Sequence, residues 1–102
     1  MFGDVGKMMK QVNEMKASMK AAQKELQDLI LDGHNRDKKI RIKINGEMEI
    51  KEIKIDEDLL KVQTEEFERE MLAAVRDSIS KAKKAAADKL GKITGGLNLP
   101  GM

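Results

Sequence analysis

The chain has 102 residues, a formal net charge of +2 and no cysteine, tryptophan or tyrosine. This length limits it to one small domain, and the absence of cysteine excludes a disulfide framework, a thiolate zinc site and a cysteine nucleophile. Because phenylalanine occurs only twice, the core must consist of aliphatic and methionine side chains. We expect a second copy of the chain to supply the burial that one copy lacks.

The hydropathy of the chain predicts a cytoplasmic protein. No stretch approaches the roughly 20 apolar residues that a membrane-spanning helix needs. The opening sequence MFGDVGKMMK lacks the apolar run of a secretory signal. We therefore expect no membrane partner.

Charge is distributed unevenly along the chain. Residues 56–77 carry eight acidic and three basic side chains, whereas residues 78–102 carry five lysines and one aspartate. Local patches are therefore more informative about partners than the total charge is.

The first third of the chain has a helical period. Its apolar residues are separated by alternating steps of three and four, and they are Val5, Met8, Val12, Met15, Met19, Ala22, Leu26 and Leu29. This heptad seam predicts a helix from about residue 4 to about residue 26 that packs against a second helix or against a partner's copy.

Basic residues of this first helix also lie together on one side. An arc opposite the seam holds Lys10, Lys16, Lys20 and Lys24. A solvated face is the simplest explanation of such an arc, and a ridge that contacts phosphates is the alternative.

The middle of the chain changes to a period of two. Isoleucines alternate with basic residues from Ile40 to Ile44 and are followed by Asn45-Gly46, which predicts a β-hairpin. The segment Leu29–Leu31 is a candidate for an earlier strand. The sequence therefore predicts three antiparallel strands between about residues 28 and 56.

The register of the return strand stays open at this stage. Its apolar residues are Met48, Ile50, Ile53 and Ile55. A two-residue turn would place the last two on the face of Ile40 and the first two on the opposite face. A bulge near Lys51-Glu52 would instead place all four on one face.

A second long helix is predicted from about residue 64 to about residue 90. Thr64 suits its cap, and the glutamates that follow suit its first turn. Gly91 is expected to end the helix and to begin an extended tail over residues 91–102. The late lysines Lys81, Lys83, Lys84 and Lys89 lie where the helix dipole favours cations, so helix design alone explains part of their placement. The resulting order is α-β-β-β-α, in the α+β class.

Few residues offer reactive chemistry. His34 is the only histidine, and one imidazole without clustered carboxylates or thiols is not a metal site, so we interpret it as a turn residue. Ser78 and Ser80 fall within the second helix and have no nearby base. We therefore predict a protein that is not an enzyme, with no catalytic residue, metal, cofactor or small-molecule substrate.

Nucleic-acid binding is the leading function that these residues suggest. Lysine suits phosphate, whereas the reading of bases favours Arg, Asn or Gln, and lysines far outnumber the four arginines. The lack of Trp and Tyr removes the stacking platforms that single strands use. We expect contacts with the backbone of duplex DNA and a weak sequence preference.

Three stretches and the second helix together span nearly the whole chain and carry a family resemblance. The stretches are MFGDVGKMMKQVNEMK, IRIKINGEMEIKEIKIDEDLL and GKITGGLNLPGM. In this order they resemble the YbaB/EbfC family of bacterial nucleoid-associated proteins. The resemblance implies an α-β-β-β-α protomer that forms a homodimer with helices projecting like tweezers. It also implies cytoplasmic DNA binding in the nucleoid, linked to the regulation of gene expression.

The resemblance also implies, by position, which side chains contact DNA. These candidates are Lys7, Lys10, Lys16, Lys20, Lys24, Lys81, Lys83, Lys84 and Lys89. The chain departs from the family in the loop at residues 33–37, which is polar where the family often has a glycine-rich step.

A function of a different class is a helical clamp that holds other proteins. Prefoldin-type chaperone subunits also join two long helices through β-hairpins, and a methionine-rich seam suits varied apolar contacts. Burial of Met8, Met15 and Met19 in the dimer would remove the surface of the clamp, whereas exposure at the helix tips would favour it. A structural dimer whose lysines only provide solubility is the third alternative.

Overall fold

The computed structural model describes residues 2–95, with the side chains of residues 5–92. The elements in chain order are α1 (Phe2–Asp28), β1 (Ile30–His34), β2 (Ile40–Asn45), β3 (Ile50–Ile55), a short 3-10 helix (Glu57–Lys61) and α2 (Thr64–Gly95). This order confirms the predicted α-β-β-β-α arrangement of an α+β protein. The last part of the predicted tail, residues 96–102, lies outside the described residues.

Both long helices extend further than predicted. The helix α1 continues to Asp28, just before β1. The helix α2 passes through Gly91 and ends at Gly95, so the prediction that Gly91 ends it is wrong, as is the extended conformation predicted for residues 91–95. A glycine inside a helix costs only about 1 kcal/mol relative to alanine, and the good helix formers that precede Gly91 carry the helix across it.

The three strands form an antiparallel sheet in the order β1-β2-β3. Ile40 pairs with Ile55 and Ile42 with Ile53, and the register then shifts so that Ile44 pairs with Ile50. The extra residue on β3 is Lys51, so the bulge that the sequence left open is present.

The hairpin turn is longer than the two-residue turn considered for Asn45-Gly46. The backbone N–H of Asn45 donates to the carbonyl of Glu49 at 3.0 Å, and the Asn45 side-chain oxygen accepts from the N–H groups of Glu47 and Glu49 at 3.0 and 2.9 Å. Met48 completes the turn with a φ of 65°. A two-residue turn is therefore wrong, and Met48 lies in the turn instead of on the strand.

A second asparagine shapes the connection between β1 and β2. The Asn35 side chain is buried; its oxygen accepts from the Ile40 N–H at 2.9 Å, and its amide nitrogen donates to Glu70 on α2 at 2.7 Å. This side chain thus closes the polar loop between β1 and β2. His34, which we expected in a turn, is the last residue of β1.

The core lies between α2 and the first two strands. Ile40 and Ile42 pack with Leu59 and Ala74, and partly buried side chains of α2 surround them. The face of β3 that continues this layer is open, because Ile50 and Ile53 each remain 46% exposed. We call Ile50, Ile53 and Ile55 the β3 face.

The position of α2 depends on a close approach at Gly33. A Cβ atom placed on Gly33 would lie 2.5 Å from Ser78 Cα and 2.7 Å from Ser78 N, so a side chain there would push α2 away from β1. Gly46 has the same role for α1, because its N–H donates to the Leu26 carbonyl at 2.7 Å.

We expect Gly33→Ala to lower the free energy of unfolding by about 2–3 kcal/mol, since the added methyl meets backbone atoms of α2 that cannot move separately. Urea denaturation at matched protein concentration measures this change. Gly6→Ala is the control: a Cβ at Gly6 meets no atom within 4 Å, and alanine should raise the stability of α1 by up to about 1 kcal/mol. Equal stability of the Gly33→Ala protein and the parent would contradict the close approach.

Candidate nucleic-acid interface

Three of the predicted DNA contacts form one row along α1. Lys16, Lys20 and Lys24 follow each other at steps of four, all are exposed, and none forms an ion pair within the described part of the chain. Because four residues advance a helix by about one turn, the three side chains lie on the same flank, roughly 6 Å apart along the axis. We call these residues the lysine row.

The remaining lysines of α1 lie nearer its free end. Lys7 and Lys10 are exposed. At about 100° per residue, Lys10 falls on the side of the helix opposite the seam, and Lys7 falls on the side of Glu14. Both lysines have Glu14 as a neighbour along the helix, because it lies four residues from Lys10 and seven from Lys7.

Two of the four candidate lysines on α2 form ion pairs within the protomer. Lys81 Nζ lies 2.8 Å from Asp77 Oδ2 and donates to the Asp32 carbonyl at 2.9 Å. Lys89 forms an ion pair with Glu25 of α1. These contacts fasten α2 to β1 and to α1, so both ammonium groups have partners before any ligand arrives.

The other two α2 candidates, Lys83 and Lys84, are exposed and have no ion-pair partner among the described side chains. Neither shares a surface with the lysine row in one protomer. The groove between the helices is lined by Ser18, Glu25 and Lys89 with their neighbours, which places α2 on the opposite side of α1 from the row. One protomer therefore presents two separate cationic surfaces.

The sequence reasoning did not select two arginines that accompany Lys83. Arg69, Arg76 and Lys83 are spaced by seven residues and are all exposed, so they share one stripe on the solvent side of α2. The heptad spacing of these basic residues was the signal that could have identified them.

The outer face of the sheet is less suited to a polyanion than its lysines suggest. Glu52 lies between Lys43 and Lys54, at 3.7 Å and 3.9 Å from their Nζ atoms. This carboxylate offsets part of the positive charge on the strands. The lysine row on α1 has one acidic neighbour on its flank, Asp28, which lies four residues beyond Lys24 at the sheet end of the helix.

Asp77 is the acidic residue that the structure perturbs most clearly. The hydrogen bond from Lys81 holds the pKa of Asp77 below its ordinary value of 3.8, and the backbone N–H of His34 assists, while partial burial opposes the shift. The His34 N–H donates to Asp77 Oδ2 at 2.9 Å. This carboxylate is therefore a structural anchor between β1 and α2 and not a reactive group.

The described residues contain no cluster of three or more metal-ligating side chains. None of the described helices is long and apolar enough to cross a membrane. The His34 Nδ1 atom lies 2.7 Å from the Asn35 carbonyl, so the histidine is engaged with its own loop.

The chain is similar in sequence to proteins of one known family. Residues 1–97 match the model of the YbaB/EbfC DNA-binding family. A nucleoid-associated protein of Legionella pneumophila is 34% identical over 97 residues, covering 95% of this chain and 87% of that protein. A nucleoid-associated protein of Rhodopseudomonas palustris is 36% identical over 94 residues, covering 91% and 89%.

A solved structure has the same fold. The crystal structure of uncharacterized protein HP0035 from Helicobacter pylori superposes with a TM-score of 0.68 at 17% identity, covering 88% of this chain and 91% of that one. At this identity the match concerns the arrangement of helices and strands.

The Asp77–Lys81 contact makes a prediction about pH. Because the pKa of Asp77 is lower in the folded protein than in the unfolded chain, its stabilisation is complete above pH 3.8 and is lost as the pH falls through the folded value. We expect Asp77→Asn to lower the free energy of unfolding at pH 7 by no more than about 1 kcal/mol.

Urea denaturation between pH 7 and pH 3 measures the effect, and the difference from the parent should shrink below pH 3.8. Asp88→Asn, at an exposed aspartate on the same helix, serves as the control and should change stability less. A difference that grows as the pH falls would contradict the role of this contact.

Proposed function

Because the chain belongs to the YbaB/EbfC DNA-binding family, we propose that it is a nucleoid-associated protein that binds duplex DNA as a homodimer. Phosphate contacts supply most of the affinity, and the protein acts in the bacterial nucleoid in its organisation and in gene regulation. The observation that carries the proposal is the lysine row of α1, which is exposed and unpaired within the described structure.

The row suits phosphates in both charge and chemistry. Lysine is a compact cation on a flexible stem, so Lys16, Lys20 and Lys24 reach phosphates without needing the fixed geometry that base reading demands. Each phosphate that they neutralise releases condensed counterions, and affinity should therefore fall steeply with salt. Lys7, Lys10, Lys83 and Lys84 are secondary candidates, whereas Lys81 and Lys89 must first leave their internal partners.

The β3 face supports the homodimer. Ile50, Ile53 and Ile55 continue the buried layer of the sheet, but α2 covers only β1 and β2. Leu60 and Leu72 are 70% and 49% exposed and add to the apolar surface outside the core. An apolar surface that continues a protein core is typical of an interface with another chain.

The dimensions of the protomer also support a partner. Its radius of gyration is 19.9 Å, compared with about 13 Å for a compact domain of this length. Its accessible surface is 8100 Å², whereas a folded monomer of this mass exposes about 5,800 Å². A two-fold dimer through the β3 face would bury part of the excess and would duplicate the lysine row on one particle.

A second candidate function is contact with other proteins. Met8 is 64% exposed and Met15 is 37% exposed, and Met19 is half-buried, so the methionines of α1 remain available in the protomer. This exposure is the observation that favours a clamp, since methionine adapts to apolar partners of different shapes.

We expect the triple substitution of Lys16, Lys20 and Lys24 by Gln to weaken duplex binding on every sequence tested. The slope of log affinity against log salt should become shallower by about 0.9 for each phosphate that the variant no longer neutralises. Fluorescence anisotropy with a labelled duplex, titrated at several salt concentrations, measures both quantities.

The matched control replaces Lys38, Lys54 and Lys61 by Gln. These exposed lysines lie toward the end of the sheet opposite the α1 attachment, and the same reduction of charge there should leave the slope nearly unchanged. Equal effects of the two triple variants would mean that total charge, and not the row, determines binding.

We expect Ile53→Glu to abolish association through the β3 face and so to lower the mass of the particle, because a carboxylate on this face would be buried without a partner at the interface. Light scattering coupled to size-exclusion chromatography measures the mass, and circular dichroism checks that the helices remain. Lys54→Glu changes the neighbouring residue on the outer face and should leave the mass unaltered. A monomeric parent protein at micromolar concentration would contradict the homodimer.

A further inference from the structure

Half of the apolar seam of α1 has no partner within the protomer. Ala22 and Leu26, near the sheet, are only 4% exposed, whereas Met8 and Val12 are 64% and 49% exposed. The spacing of three and four residues continues without change from the buried half into the exposed half. We call Val5, Met8, Val12 and Met15 the free seam.

The free seam belongs to a helical segment that projects without support. A Cβ at Gly6 would meet nothing within 4 Å, and the lysines on this segment are exposed. A short helical segment that projects alone is marginal in water unless its apolar face is packed. A narrow heptad stripe fits a second helix better than it fits an irregular ligand, because it presents alternating knobs and holes.

We propose that the free seam binds the same segment of a second copy of the chain, with the two α1 helices antiparallel. In this register Val5 lies opposite Met15 of the second copy, and Met8 lies opposite Val12 of the second copy. All four free-seam residues then find an apolar partner in one symmetric arrangement. The contact is isologous, since each copy contributes the same surface.

The residues beside the free seam are compatible with this register. Met9 and Gln11 flank the seam near the two-fold axis, so each meets its own copy as a neutral pair. Lys10 lies on the opposite side of the helix and stays in solvent. The shallow groove that receives the second helix is lined by Val5, Met8, Met9, Val12, Asn13 and Lys16, which gives it an apolar floor with polar residues at its edge.

The contact between tips would allow assemblies larger than a dimer to form. This consequence rests on the proposed dimer through the β3 face. Each chain then has two different isologous surfaces, one on the sheet and one at the tip of α1. Dimers joined through their tips would form tetramers and longer chains, with lysine rows repeated along them. The tip contact itself does not depend on the β3 face and can be measured without it.

The first experiment compares the masses of charge-substituted variants by sedimentation velocity over a range of protein concentrations. We expect the parent to form species larger than a dimer, Val12→Glu to stop at the dimer, and Val12→Glu combined with Ile53→Glu to be monomeric. Ala17→Glu places the same charge on the exposed opposite side of α1 and should behave as the parent.

A parent that never exceeds the mass of Val12→Glu would overturn the tip contact while leaving the proposed DNA binding unaffected. If Val12→Glu instead abolishes the capture of an unfolded model protein without changing the mass, the seam serves a clamp and the proposal is wrong. Retention of tip association by Ile53→Glu alone separates this contact from the β3 dimer.

The second experiment uses the absence of cysteine from the chain. In the antiparallel register, Val5→Cys mixed with Met15→Cys should give a disulfide-linked species on a non-reducing gel, and neither variant should cross-link with itself. The two copies of residue 5 would be about 15 Å apart along the axis, far beyond the span of a disulfide.

Self-cross-linking of each single variant would indicate parallel helices and would overturn the antiparallel register. Ala17→Cys, on the opposite side of α1, gives the background from random collision. Cross-linking of the mixture no greater than this background would overturn the proposal.

Discussion

The close approach of α2 to β1 at Gly33 determines much of this architecture. Without a side chain at Gly33, the Ser78 backbone of α2 rests directly on the edge strand, and the Asp77 carboxylate accepts from the neighbouring His34 N–H. The helix is therefore held over β1 and β2 and cannot also cover β3. The exposed isoleucines of the β3 face follow from this placement, and the proposed dimer rests on them.

The lysines divide into those that hold the protomer together and those that remain free. Lys81 and Lys89 connect α2 to β1 and to α1, so their positive charges are already paired inside the fold. The lysine row lies on the side of α1 away from these contacts, and the acidic residue on its flank is Asp28, at the end beyond Lys24. Sequence position alone does not distinguish the two groups, because both consist of lysines on amphipathic helices near good helix formers.

The elements of the fold were largely predictable from residue spacing. The heptad seam located α1, and the alternating isoleucines located β2. The two-residue hairpin turn considered for Asn45-Gly46 was wrong. The Asn45 side chain accepts hydrogen bonds from two backbone N–H groups and so stabilises a longer turn. The predicted end of α2 at Gly91 was also wrong, because a single glycine lowers the stability of a helix without ending it. The Lys81–Asp77 ion pair has the four-residue spacing that a helical sequence reveals. The contacts of Lys81 with Asp32 and of Lys89 with Glu25 could not be predicted, since they join residues 49 and 64 positions apart.

The helix α1 presents its two unpartnered features in different directions. At about 100° per residue, Lys20 and Lys24 lie well away from the free seam, whereas Lys16 lies at its edge and lines the same groove as Val12. The stem of a lysine packs on apolar surface while its ammonium group stays in water. A second helix seated on the free seam would therefore order the Lys16 stem without neutralising its charge. Contact between tips and contact with a polyanion would then reinforce each other instead of competing for one surface.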